Sequence, residues 1–235
     1  QLFDWKTQPN KETVFALQYI MQTGYGSNFD DMYGHRSMFK EGQDMSDVEL
    51  TSIKIYTKRD GSPVDWTTMP RRSDYPSEYE YGKVLVPWYE NTFTDMDDRL
   101  HKNVILPGSL FLGKNDTYHK LYWPYQSYVN ATPPPIRTTF TEIALIPWRK
   151  FVTTDSENLY REDGPTDNPL IRFADVLLML AESINEESGP NSEVYNAINR
   201  VRNRAGLPNL PAGLSKDAMR NEIRLERFRE LMGEG

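Results

Sequence analysis

"LIRFADVLLMLAESINEE", residues 170–187, decides the fold class. Leu170, Phe173, Leu177, Leu180 and Ile184 recur at helical spacing, so one face is apolar while Arg172, Asp175 and Glu182 fall on the other. The spacing predicts an amphipathic helix, and Pro169 just before it suits a first helical turn. The uninterrupted apolar run inside it, "VLLMLA" at 176–181, is far too short to cross a bilayer.

Downstream, "SGPNS" (188–192) breaks the pattern and "EVYNAINRVRNRAG" (193–206) resumes it, with Val194, Ile198 and Val201 on one face and Gly206 as its stop. The result is an antiparallel helix pair on a short loop. A proline-rich link, "LPNLPAG" (207–213), leads to a third helix from Ser215, whose hydroxyl, with Asp217 close by, suits a helix N-terminus. That helix is expected to pack Ile223, Phe228 and Leu231 against the first two, while Glu226 or Arg227 ties into a neighbouring loop. It closes on "RLERFRELMGEG" (224–235), with Gly233 just past Met232 as a stop. The pair-and-return arrangement resembles one unit of a helical-repeat superhelix, whose apolar faces expect further partners and expose contiguous apolar surface without them.

Upstream of the polar segment "REDGPTDNP" (161–169) the chemistry changes. Residues 1–160 hold 26 of the 29 aromatic residues and all five Trp, whereas residues 161–235 hold Phe173, Tyr195 and Phe228. Two regions are therefore expected: a loop-rich aromatic part, 1–160, and a helical part, 161–235. In the first, 11 prolines leave few periodic stretches. Short strands fit "ETVFALQYI" (12–20) and "NVILP" (103–107), and "DVELTSIKIY" (47–56) fits a short helix or a strand. The connections 24–44 and 122–140 are long for structureless loops, which points to function.

Charge and special residues exclude several classes. The net charge is −7 with both signs mixed along the chain, so no basic face for nucleic acid is expected. With no cysteine, disulfides, thiolate metal sites and cysteine nucleophiles are excluded. His35, His101 and His119 lack the close spacing of a zinc site. "DMDDR" (95–99) lacks the Gly turn and bidentate Glu of a calcium loop and reads as a salt-bridged turn. No Ser elbow, phosphate loop or dinucleotide glycine pattern is present, and no carboxylate pair is singled out for glycoside hydrolysis. No catalytic residue, metal or cofactor is expected.

Aromatic rings remain as the positive signal: Trp66, then Tyr75, Tyr79 and Tyr81, then Trp88 and Tyr89, then Tyr118, Tyr122, Trp123, Tyr125 and Tyr128. Such rings offer a flat apolar face and a polar rim, matching the C–H face and hydroxyls of a pyranose. In a region poor in aliphatics most of them are expected to build the core and a minority to contact ligand.

At this point the helices carry a resemblance. "NPLIRFADVLLMLAESINE" (168–186), "YNAINRVRNRAGLP" (195–208) and "IRLERFRELMGEG" (223–235) resemble, in order and spacing, the C-terminal helices of the SusD/RagB family of outer-membrane nutrient-binding lipoproteins. Agreement extends upstream through "NKETVFALQYI" (10–20), "YTKRDGSPVDW" (56–66) and "DMDDRLHKNVILPG" (95–108). The resemblance implies a mainly α, SusD-like helical-repeat (TPR-related) superhelix with a loop-rich, irregular part carrying short strands. It also implies an internal portion of a protein about twice as long, since family members begin with a lipidated cysteine and continue past the Glu-Gly motif. By function it implies non-catalytic capture of a glycan at the outer-membrane surface and delivery to a TonB-dependent, SusC-like transporter, with membrane attachment through a lipid anchor outside this chain. Family ligand sites are arcs of aromatics on variable loops. By loop position, Trp66, Trp88, Tyr89, Tyr122 and Trp123 are the candidate rings, with Asn91 and Asn130 as candidate hydroxyl partners. The alternatives are a peptide- or protein-binding helical scaffold and a glycoside hydrolase.

Overall fold

The computed structural model describes residues 3, 5–8, 10–34, 47–113, 117–122, 130–134, 136, 146–153 and 162–234. His35 and Trp123 lie outside the described residues, as do Tyr125 and Tyr128. In chain order the elements are β1 (Thr13–Leu17), α1 (Phe29–Tyr33), β2 (Asp47–Val48), α2 (Leu50–Ile53), α3 (Glu78–Thr92), α4 (Asp98–Asn103), β3 (Leu110–Leu112), β4 (Tyr118–Lys120), β5 (Ile146–Pro147), β6 (Asn168–Arg172), α5 (Phe173–Ser188), α6 (Ser192–Arg204) and α7 (Lys216–Leu231). Among the described residues strands pair two at a time and antiparallel, β1 with β6, β2 with β5 and β3 with β4. The chain is mainly α, with short strands inside irregular segments.

The three helices expected from residue 170 onward are present, and side chains fix their starts. Asn191 Oδ1 accepts from the amides of Glu193 and Val194, and Ser215 Oγ from that of Ala218. These contacts satisfy amides that a helix cannot pair internally. The left-handed Gly189, with φ of 81°, lets the chain leave α5 without Cβ strain. Ala174, Leu178 and Ala181 of α5 meet Val194, Ile198 and Val201 of α6 and Met219 and Ile223 of α7 in one core. Burying each of the larger aliphatic side chains stabilises the trio by about 1.5–3 kcal/mol.

The start of α5 departs from the periodicity. Asn168–Arg172 is strand β6, paired with β1 through Thr13↔Arg172 and Ala16↔Pro169, and the helix begins only at Phe173. Pairing with β1 supplies long-range partners that a first helical turn would lack. Pro169 is tolerated because, among the described residues, β6 has a neighbouring strand on one side only. Val14, Phe15, Leu17, Leu170, Ile171, Phe173, Val176, Met179 and Leu180 are exposed on β1, β6 and α5, so Leu170, Phe173 and Leu180 of the expected apolar face lie at the surface while Ala174, Leu178 and Ala181 form the buried side.

Upstream, α3 is the main departure, since its 15 residues were expected to be irregular. Ser77 caps it by accepting from the Glu80 amide, and Tyr81, Leu85 and Tyr89 line its buried side one turn apart. Residues 47–56 divide between β2 and α2. Residues 103–107 form no strand: α4 includes Asn103, Val104 makes a single bridge to Trp148, and the Ile105 amide donates to the Pro147 carbonyl at 2.8 Å. A second core gathers Ile53, Tyr56, Leu85, Met96, Leu100, Ile105 and Phe111.

The end of α7 joins the two cores. Met232 sits in the second core, and the Tyr56 hydroxyl donates to the Arg229 carbonyl at 3.0 Å. Around it lies a buried ionic cluster. Arg99 Nη1 contacts Glu226 Oε1 at 2.6 Å and Glu230 Oε2 at 3.0 Å, while its Nη2 holds Asp97 at 2.7 Å. Arg172 Nη1 donates to Glu230 Oε1 at 2.9 Å and its Nη2 to Glu234 Oε1 at 2.7 Å. Arg202 contacts Glu226, and Arg204 contacts Glu230. Burial pushes the Glu230 carboxyl up, but the charges of Arg204, Arg172 and Arg99 outweigh it and hold the group at about 2. The expected tie to a loop is not what forms: Glu226 pairs with Arg99 of α4 and Arg202 of α6, and Arg227 with Asp175 of α5 at 2.6 Å, so helices supply the partners. Phe228 departs from expectation: it is 46% exposed, because its place on α7 faces away from both cores.

Candidate functional site

Trp66 opens a short 3-10 turn, Trp66–Thr68, held by Asp65, whose Oδ1 accepts from the Thr67 amide at 3.0 Å and from the Thr67 hydroxyl at 2.6 Å. These bonds hold the Asp65 carboxyl below its usual range, the hydroxyl contact most strongly. The turn presents the Trp66 ring to Trp88 of α3, with centroids 5.7 Å apart and planes tilted by 51°. Phe93 closes the cluster at 5.6 Å from Trp66 and 5.8 Å from Trp88. Trp88 Nε1 donates to Thr68 Oγ1 at 3.1 Å, which ties helix and turn together. Both indoles are half-buried, each resting on the second core. Lys54 Nζ stands 5.4 Å from the Trp66 ring centroid, a cation–π distance. Trp66 Nε1 is buried without a partner, so this ring meets any ligand by its surface and not by its N–H.

The other candidates fall differently. Trp88 and Tyr89, loop residues by the sequence reading, both lie on α3. Tyr89 is 4% exposed, enclosed by Trp88 and Phe93 at 5.2 and 5.1 Å, and burial pushes its hydroxyl well above the phenol range. Its ring is a packing element, because helical spacing turns position 89 inward beside Leu85. Asn91 is exposed on α3, one turn beyond Trp88 on the same flank. Tyr122 is half-buried just past β4, where Lys120 Nζ lies 5.5 Å from its ring and 2.6 Å from Glu90 Oε1 of α3. Asn130 is exposed, with nothing described that joins it to the indole pair. The structure therefore brings Trp66 and Trp88 together, with Asn91 alongside.

Sequence reasoning missed Thr68 and Lys54 in this cluster, and no spacing signal marks either. Tyr79 and Tyr118, the latter 56% exposed, offer rings to solvent that the candidate set passed over. Among the described residues, no group of three or more His, Asp or Glu is placed to hold a metal ion, and no helix is long and apolar enough to cross a membrane. The acidic stretch 95–99 is consumed internally: Asp97 caps α4 and holds Arg99, and Asp98 pairs with Arg59 at 2.6 Å. His101 Nε2 sits 2.8 Å from the Phe93 carbonyl.

A mainly α chain of this order, its terminal helix locked to a loop-rich aromatic part, defines a recognisable class. The model of the SusD family matches residues 11–235, and the chain belongs to that family. SusD-like protein P38 of Formosa agariphila is 25% identical over 205 residues, covering 83% of this chain and 39% of the relative. SusD-like protein P2 of the same organism is 42% identical over 78 residues, covering 30% of this chain and 15% of that protein. Among solved structures, a SusD-like carbohydrate-binding protein from Bacteroides fragilis superposes with a TM-score of 0.70 at 22% identity, covering 100% of this chain and 42% of its own. Another SusD-like protein from the same species gives a TM-score of 0.67 at 19% identity, with 99% and 43% covered. The chain thus spans less than half the length of these relatives.

Proposed function

We propose that this protein binds a glycan at the bacterial surface without cleaving it, and hands it to a TonB-dependent, SusC-like transporter of the outer membrane. The observation that carries the binding reading is the half-buried Trp66–Trp88 pair, two indoles fixed by a turn, a helix and the Thr68 bond, with the exposed Asn91 amide on the same flank. Rings held rigidly before binding lose little entropy when a sugar stacks on them. Membership of a family that includes a protein described as carbohydrate-binding supports the same reading. The outer-membrane location, the transporter partner and a lipid anchor are proposed on family membership and not on the site.

One stacked ring contributes about 1 kcal/mol beyond area burial, and hydroxyl bonds exchanged with water add little, so several contacts together give micromolar affinity. The test is calorimetric titration of the full-length protein with a panel of oligosaccharides, with reducing-end release followed in parallel. Trp88→Ala is expected to weaken binding several-fold while most of the protein remains folded at the assay temperature. Unchanged affinity per folded molecule would remove the indole pair from the site. Release of reducing ends would overturn the non-catalytic reading, and binding only to peptides would overturn the ligand class.

A further inference from the structure

Arg149 follows β5 in a backbone that is firmly held: Val104 bridges Trp148, and the amides of Arg149 and Lys150 both donate to the Asn103 carbonyl, at 2.9 and 3.1 Å. Its guanidinium reaches β3, where Nη2 donates to the Leu110 carbonyl at 3.1 Å and the cation lies 5.3 Å from the Phe111 ring centroid. Nε is buried with no partner. Among the described residues no carboxylate reaches this group, whereas Arg99, Arg172, Arg202, Arg204, Arg220 and Arg227 each meet one. Burial alone moves Arg149 below the usual arginine range, and nothing described offsets it. A carbonyl dipole and a ring face balance part of the cost of a half-buried cation, but neither carries negative charge.

The Arg149 side chain is only half-buried, and among the described residues β3 has β4 as its one neighbouring strand. We infer that the Arg149 guanidinium, fixed on the Leu110 carbonyl and over the Phe111 ring, receives an oxyanion carried by the sugar ligand, a carboxylate or a sulfate ester. Guanidinium suits this task because Nη1 and the Nη2 hydrogen not spent on Leu110 lie in one plane and can meet two oxygens of such a group at once. The inference rests on the glycan reading but adds a charge requirement that the indole pair does not impose.

His101 supplies a readout. Its imidazole is held below the ordinary histidine range, first by burial, with the Arg149 charge adding in the same direction. An anion seated on Arg149 reduces that repulsion, so the His101 titration moves up. The experiment is NMR titration of the full-length protein with sodium glucuronate, with sodium sulfate, and with methyl glucoside as the neutral control, at constant ionic strength. Expected are a saturable shift of the His101 resonances with at least one anion, a raised His101 titration, and loss of at least tenfold in affinity in Arg149→Gln, whose own melting temperature without ligand is unchanged or higher. Response to glucuronate alone assigns a carboxylate-bearing sugar, and response to sulfate alone a sulfate ester. No saturable response to either anion, or an equal response in Arg149→Gln, overturns the inference. Should Arg149→Gln fail to fold, Arg149→Lys carries the comparison: a charge without the fork is expected to bind several-fold more weakly, and equal binding counts against the site. A neutral oligosaccharide that binds wild type and variant alike, with no anion response, sinks this inference and leaves glycan binding standing. If no glycan of either charge binds, the glycan reading itself falls.

Discussion

The helical trio α5–α7 and the loop-rich part around α3 and α4 are held together by different means. In the trio, aliphatic residues three and four apart meet across helix faces, and the ends are closed by local caps. In the loop-rich part the core is assembled from scattered elements, with aromatic residues at Tyr56, Tyr81, Tyr89, Phe93 and Phe111. Local order in sequence becomes local order in space in the first case. The second depends on contacts between residues far apart, and its anchor is the last turn of α7, through the Arg99–Glu226–Glu230–Arg172 cluster. The comparison teaches that the C-terminal motif holds the irregular half in place as much as it ends a helix.

The strongest way to break this contrast is Arg172→Leu. It takes from Glu230 and Glu234 a buried cation that both of them meet, and removing one side of a buried ion cluster costs about 3–5 kcal/mol. Urea unfolding followed by Trp fluorescence, which reports only the loop-rich half because every Trp lies there, is expected to show that loss. A loss under 1 kcal/mol would mean the cluster does not anchor the irregular half.

Acid sharpens the same comparison. The folded Glu230 carboxyl is held at about 2, below its unfolded value, so the stabilisation it contributes is present above roughly pH 4.5 and is lost as pH falls toward 2. The contribution is on the order of 3 kcal/mol at neutral pH, since each pKa unit corresponds to about 1.4 kcal/mol. Lys150 carries the opposite sign. Burial, only partly opposed by Glu234, lowers its ammonium to about 8, so this group adds stability as pH rises from about 8 toward its unfolded value of 10.5. Melting temperatures of wild type and Glu230→Gln across pH 2.5–6 check the acid limb. Wild type is expected to lose its advantage as pH falls, and parallel curves would refute the assignment.

The smallest effect is expected at Phe228→Ala. A buried ring would cost about 3 kcal/mol or more, but this one is 46% exposed and lies outside both cores, so the loss is expected below about 1 kcal/mol. Calorimetric melting decides it. A cost near 3 kcal/mol would mean that the ring is covered in the folded protein.

The sequence by itself determined the three C-terminal helices, the Ser215 cap, the break at 188–192, the Gly206 stop and the family, because helical periodicity and capping are local properties that a single segment expresses. It also singled out the aromatic part as the place to look for a site. Only the tertiary structure decided that Asn168–Arg172 is a strand, since β1, some 150 residues earlier, supplies its partner. It decided as well that Tyr89 faces the core while Trp88, one position earlier, stays half-open against Trp66: α3 interrupts its pattern with Gly82 and Pro87, yet 100° per residue separates neighbours on its surface. Charge shows the same limit. Arg99 and Arg149 read alike in sequence, but three carboxylates reach one and none of those described reaches the other, a difference that arises only when distant segments are brought together.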